Sequence, residues 1–166
     1  MDIEKIFLEH LWELAPIFTQ TPHAKMLGIK FVAVDIGRAT MSLPYNPALI
    51  GDPKTRVIHG GAVTTLLDQA SGLAAIAGFK ELGSTATLDL RIDYMRAARP
   101  GETIIAQAHC YKATRHVAFI RAIAHDGDED DPVASSQATF MATGPRMSFE
   151  EFAKARGLKT GVSLDN

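Results

Sequence analysis

The sequence predicts an α+β domain in which an antiparallel sheet wraps around one long helix, and three observations carry that expectation. Residues 57 to 78, VIHGGAVTTLLDQASGLAAIAG, keep helical periodicity over a mostly apolar stretch with a single carboxylate, Asp68. After this stretch the apolar period falls from 3.6 to 2, and four successive segments read as strands. Helices do not alternate with those strands, so the pattern is not that of a parallel βαβ sheet.

Each element has its own signal. Ile3, Phe7, Leu11, Leu14 and Phe18 recur at three- and four-residue spacing, which predicts an amphipathic helix over residues 3–18 that ends near Pro22 and packs across the sheet. LGIKFVAVDIG and RATMSLPY form a hairpin with its turn at Asp35 to Arg38, and NPALIGDPKTR is a loop leading into the central helix. Val63, Leu66, Leu67, Ala70, Ala74 and Ala77 mark the buried side of that helix, and Gly78 is its expected terminator. In ATLDLRIDYM, Leu88, Leu90, Ile92 and Tyr94 alternate with Asp89, Arg91 and Asp93, giving a strand with one wetter face. ETIIAQAHCYK, HVAFIRAIAHD and VASSQATFMAT follow as three further strands. The acidic run DGDEDDP reads as a solvated hairpin tip, and SFEEFAKARG as a short helix in the tail. The chain thus divides into an N-terminal helix over residues 1–21, packed on a domain over 22–144, with a tail over 145–166.

The bulk numbers narrow the partners. A length of 166 residues suits one domain with a sizeable core. Seventeen Lys and Arg against 19 Asp and Glu give a net charge of -2, so there is no overall basic field to draw nucleic acid or anionic lipid. A small neutral or anionic ligand fits better. The single Cys110 excludes an intramolecular disulfide, the N-terminus lacks the pattern of a secretory signal, and no segment is expected to span a membrane. A cytoplasmic location follows as an expectation. The histidines have no zinc-like pairing, and the acidic run lacks the ligand spacing of an EF-hand, so neither a metal nor a cofactor is expected.

The central helix carries the chemistry. Gly60 and Gly61 stand at its N-terminus, where unpaired N–H groups and the positive end of the helix dipole suit an oxygen gaining negative charge. Asp68 follows about 12 Å along the axis, a candidate base, although on spacing alone a structural acid, held by a hydrogen bond or exposed at the helix edge, is the favoured reading. On the helix Asp68 shares a side with Thr64, Ser71, Gly72 and Ala75, all small residues that leave room for a ligand.

Three segments in order, HGGAVTTLLD, TLDLRIDYMRAARPGE and YKATRHVAFIRA, resemble a PaaI-like acyl-CoA thioesterase of the hot-dog fold over roughly residues 22 to 143. The resemblance implies an antiparallel sheet around a long helix, a homodimer or dimer of dimers, and active sites at the subunit interface. It implies that Gly60 N–H polarises the thioester carbonyl, that Asp68 activates water or attacks directly, and that Thr87 helps place the water. Gly60 and Asp68 of one chain can then serve different sites. In such enzymes an Asn or Gln before the histidine often orients the substrate; here Asp52 and Pro53 stand there, and that role stays unassigned.

For other residues plainer roles compete. His59 invites a base assignment, but bonding the loop or fixing the Gly60 turn beside Gly61 is the better reading; both border the substrate site. Thr87 falls on the face of Asp89 and Arg91, where a hydroxyl is equally at home as a plain strand former. Arg96, Arg99, Lys112 and Arg115 fall near the ends of neighbouring strands and are candidates for the CoA phosphates, with ordinary solvated loop charges as the alternative. Cys110 shares a strand face with Ile104, Ala106 and Ala108, which favours a buried structural thiol. A hot-dog hydratase would need an acid and a histidine in one site, and a non-catalytic acyl-CoA binder remains the rival from another class.

Overall fold

The computed structural model describes residues 3–148 and residue 151. Its elements are helices α1 (Ile3–Leu14), α2 (Pro22–Leu27) and α3 (Gly60–Phe79), and strands β1 (Lys30–Asp35), β2 (Arg38–Leu43), β3 (Ile50–Asp52), β4 (Val57–Ile58), β5 (Glu81–Tyr94), β6 (Ile104–Ala113), β7 (Val117–His125) and β8 (Ala134–Ser148). Six strands form one antiparallel sheet in the order β1-β2-β6-β7-β8-β5, while β3 and β4 pair separately. This is the hot-dog arrangement, a curled sheet around α3.

Alanines explain how the sheet closes on the helix. Ala106 and Ala108 of β6, Ala118, Ala122 and Ala124 of β7, and Ala134 and Ala138 of β8 are all buried on the inner face, and small side chains there let α3 approach closely. Leu66, Leu67 and Leu73 fill the remaining space and are fully buried, each worth about 1.5–3 kcal/mol. By length and composition α3 would suffice to cross a bilayer, contrary to the expectation that no segment approaches a span. Its apolar character is accounted for by the surrounding sheet, in which most of it is buried.

The structure corrects several boundaries. The first helix stops at Leu14, because Pro16 has no N–H to continue the ladder; the chain tightens into a 3-10 turn over Ala15–Thr19. Pro22 opens α2 rather than closing α1, with Thr21 Oγ1 accepting from Ala24 N at 3.3 Å. Trp12 meets Phe31 edge-on at 5.1 Å, so α1 packs on the rim of the sheet at β1. The loop before α3 holds the β3–β4 ladder and a 3-10 turn over Pro47–Leu49. The helix α3 continues past Gly78 to a left-handed Lys80; Gly78 is small because Cys110 packs against it, leaving no room for a Cβ. Cys110 itself is half-buried, and that burial pushes its thiol pKa up. Strand β8 runs past residue 144 to pair Ser148 with Glu81, so the sheet takes in the start of the expected tail. Of the expected tail helix beyond Ser148, only Glu151 lies among the described residues, and it is helical.

The acidic run is not merely a solvated tip. Asp126 is only 4% exposed and takes a two-pronged ion pair from Arg96, at 2.8 Å and 2.6 Å, plus a 2.7 Å bond from Arg99 N. Asp131 adds a second carboxylate 2.9 Å from Arg96 Nε. The pair clamps the β5–β6 connection to the β7–β8 connection. The Arg96 hydrogen bonds hold the Asp126 carboxyl well below the usual aspartate range, against the opposing effect of burial. A depressed folded-state pKa stabilises above the unfolded value of about 4, and the contribution is lost as pH falls through the folded value. Replacing Arg96→Met is expected to cost about 3–5 kcal/mol in urea unfolding at pH 7, because it strands a buried carboxylate. Measured in the same way, the gap between wild type and Asp126→Asn should stay constant from pH 7 to about 5 and narrow progressively below about pH 4.

Candidate active site

The start of α3 is held from two directions. His59 N donates to Leu49 O at 2.8 Å, and the backbone of Gly51 lies so close to His59 that a Cβ at Gly51 would meet His59 Cα at 2.9 Å. As N-cap, His59 accepts the Gly61 N–H on Nδ1 at 2.9 Å. The His59 carbonyl accepts from Ala62 N at 3.0 Å, so the trans peptide turns the Gly60 N–H the opposite way, outward from the helix end. No acceptor for that N–H is found among the described residues. Of the two expected glycine donors, Gly60 is therefore available and Gly61 is spent on its own cap.

A second constraint comes from residues that sequence reading left without a role here. Tyr94 Oη, at the end of β5, donates to Gly60 O at 2.7 Å and lies 2.7 Å from Thr64 Oγ1, which also donates to Gly60 O at 3.1 Å. The alternation along β5 placed Tyr94 on the helix side; nothing in the sequence told that its hydroxyl reaches Gly60. The Asp52 turn is closed on itself: its carboxylate accepts from Lys54 N at 2.9 Å and Thr55 Oγ1 at 2.8 Å, which lowers its pKa.

Asp68 and Thr87 meet directly. Thr87 Oγ1 donates to Asp68 Oδ1 at 2.9 Å, which leaves Oδ2 with no partner among the described residues. A bulge makes this contact possible and corrects the expected phase of β5. Thr87 pairs with Phe140 and Asp89 with Thr139, so Leu88 is an extra residue between them. Phe140 faces the core, and Thr87 shares its side, whereas unbroken alternation would have put Thr87 outward with Asp89 and Arg91. Leu88, 54% exposed, bears the cost of the extra position.

Asp68 and Thr87 line an open cleft of about 310 Å³, whose other walls include Phe18, Gly72, Leu73 and Phe140. Gly72 supplies the space expected from the small residues of α3, while Ser71 and Ala75 are packed into the core. Phe18 comes from the N-terminal layer, and no sequence signal linked it to the cleft.

The four basic residues do not come together. Arg96 and Arg99 follow β5 at the end of the sheet near Gly60, whereas Lys112 and Arg115 lie at the β6–β7 turn, a strand length of about 30 Å away. Arg96 is in addition neutralised by Asp126 and Asp131, so its guanidinium serves the fold. The C-terminal ends of successive strands fall at opposite ends of an antiparallel sheet. Among the described residues no three His, Cys, Asp or Glu side chains converge as a metal site would require.

The described geometry has relatives. The sequence profile of the thioesterase superfamily matches residues 56–133, which span Gly60, Asp68 and Thr87. A protein of Escherichia coli K12 named medium/long-chain acyl-CoA thioesterase YigI is 28% identical over 133 residues, covering 72% of this chain and 84% of that protein. A Pseudomonas aeruginosa protein of solved structure is 38% identical with a TM-score of 0.73, over 80% of this chain and 99% of that one. The Escherichia coli PaaI protein shares the fold at a TM-score of 0.72 and 20% identity, over 83% of this chain and 96% of its own.

The cap at the head of α3 is open to a direct check. Removing it with His59→Ala is expected to lower unfolding stability by about 1 kcal/mol, and His59→Asn, which keeps a capping acceptor, should recover most of the loss in urea titrations.

Proposed function

We propose that this chain, a thioester hydrolase similar to the thioesterase superfamily over residues 56–133, acts on acyl-CoA thioesters, cleaved to a free carboxylic acid and CoA. The observation that carries this reading is the Thr87–Asp68 bond on the wall of an open cleft. With Oδ1 fixed by Thr87, Oδ2 is the atom that takes a proton from water as the oxygen adds to the thioester carbon, or that attacks the carbon itself to form an anhydride. In either route the tetrahedral oxyanion collapses, the C–S bond breaks, and the CoA thiolate leaves and picks up a proton; in the second, water then hydrolyses the anhydride, releasing the acid and restoring the Asp68 carboxylate. The Gly60 N–H, backed by the α3 dipole, stabilises the oxyanion. Thr87 thus acts by orienting the carboxylate, a more direct role than placing the water.

Gly60 and Asp68 of one chain are two helical turns apart, about 12 Å, too far to work on one carbonyl. The reading therefore includes a homodimer, or a dimer of dimers, in which Gly60 of one copy serves Asp68 of another. The 14-residue β5 stands at the edge of the sheet with one side unpaired, and such an edge favours addition of a second copy. The apolar cleft walls Phe18, Leu73 and Phe140 suit an aliphatic acyl group of the medium or long class named for the Escherichia coli relative. The scheme needs no metal or redox cofactor, and a CoA thioester substrate together with the free thiol of Cys110 fits a reducing cytoplasm. A hydratase is disfavoured because His59 is committed to its cap.

A thiol-release assay over acyl-CoAs of increasing chain length is the test. Asp68→Asn is expected to lower kcat by roughly 100- to 10,000-fold in a protein that still folds and binds CoA, and Thr87→Val by a smaller factor. Full turnover by folded Asp68→Asn would refute the assignment, and wild-type CoA binding with no thiol release would favour a non-catalytic binder.

A further inference from the structure

The face of the sheet turned away from α3 carries an unusual row. The strand register places Arg38 of β2 opposite His109 of β6, His109 opposite Arg121 of β7, Arg121 opposite Gln137 of β8, and Gln137 opposite Arg91 of β5. Arg38 and Arg121 thus flank His109 on one face, a concentration of basic side chains in the middle of a chain with net charge -2. Arg38, His109 and Arg121 line a groove of about 360 Å³ with Gln107, Ser135 and Gln137, and no carboxylate is among its walls. The described acids at its margins are otherwise engaged: Asp35, opposite Arg38 in the β1–β2 register, accepts from Ile36 N at 2.7 Å, Glu129 accepts from Gln107 Nε2 at 2.6 Å, and Asp93 pairs with Arg91 at 3.1 Å. Arg121 lies over the Tyr111 ring, 4.6 Å from its centroid, so its position is set through its face while its N–H edge remains available. Burial, with the charges of Arg38 and Arg121, lowers the His109 pKa, which fits a positive field in the groove.

We propose that Arg38, His109 and Arg121 form a second binding site, on the outer face of the sheet, for a ligand bearing a diphosphate group. The Cα atoms of Arg38 and Arg121 are two strand spacings apart, about 10 Å, and long guanidinium side chains from both sides of His109 converge on a group of that size. Gln107, Gln137 and Ser135 add neutral donors at the floor and rim. The site is independent of the thioesterase reading, since it shares no residue with the Asp68 cleft.

Isothermal titration calorimetry with inorganic pyrophosphate and with ADP, at fixed ionic strength, tests the proposal. Wild type is expected to bind one diphosphate per chain with Kd below about 1 mM, and Arg38→Gln/Arg121→Gln to weaken binding at least about tenfold, while Asp68→Asn binds as wild type does. Tighter binding of ADP would make a nucleotide the source, and equal binding a free diphosphate; either supports the site. In wild type, pyrophosphate should also shift the His109 imidazole signals in NMR, a readout that does not depend on a variant folding. Absence of binding at 10 mM, unchanged affinity in the folded double variant, or equal competition by chloride would overturn the proposal. So would a change in oligomeric mass of the double variant with no diphosphate binding by wild type, which would make the row an interface between copies.

Discussion

Everything else in this structure depends on the burial of α3 in the curl of the sheet. A 20-residue helix with one carboxylate cannot stand in water on its own, and the alanine-lined inner face of β6, β7 and β8 gives it a surface it can approach closely. That close approach leaves two features of α3 outside the core. Its N-terminus is free because a helix end cannot satisfy its own first donors, and Asp68 reaches out on the side where Gly72 leaves a gap. The candidate chemistry is located where the packing of α3 is incomplete.

The supports of the site are polar and local. His59 caps α3 while being held by the β3–β4 segment, and Tyr94 and Thr64 fix the Gly60 carbonyl from the other side. One residue beyond Met95, Arg96 ties two connections together through Asp126 and Asp131. The end of the sheet that presents Gly60 is therefore the end with the strongest charge-assisted hydrogen bonds, an arrangement that limits motion of a donor whose value depends on its direction.

The bulge at Leu88 shows how a small irregularity decides function. Without it, Thr87 would point to solvent on the face of Asp89 and Arg91, and Asp68 would lose the only partner described for it. Local pattern reading has no access to such an event, because a bulge is set by how two strands 50 residues apart accommodate each other's twist. The same limit explains the basic residues: Arg96 and Lys112 were grouped by their closeness to strand ends, while antiparallel pairing sends those ends apart. It also explains Gly78, which looked like a helix stop and is a contact point for Cys110.

From the sequence alone came the α+β class, the helix over Gly60–Phe79, the six main strands, the turn at Asp35 to Arg38, and the placing of Gly60 at the helix start with Asp68 two turns on. These follow from periodicity and from glycine and carboxylate positions within single elements, where the physics is local. The tertiary structure decided that Thr87 faces Asp68, that Arg96 is spent on Asp126, that Phe18 joins the cleft wall and that Arg38, His109 and Arg121 stand in one row. Each of these joins residues distant in the chain, and their meeting depends on strand order and register, which no short window of sequence contains.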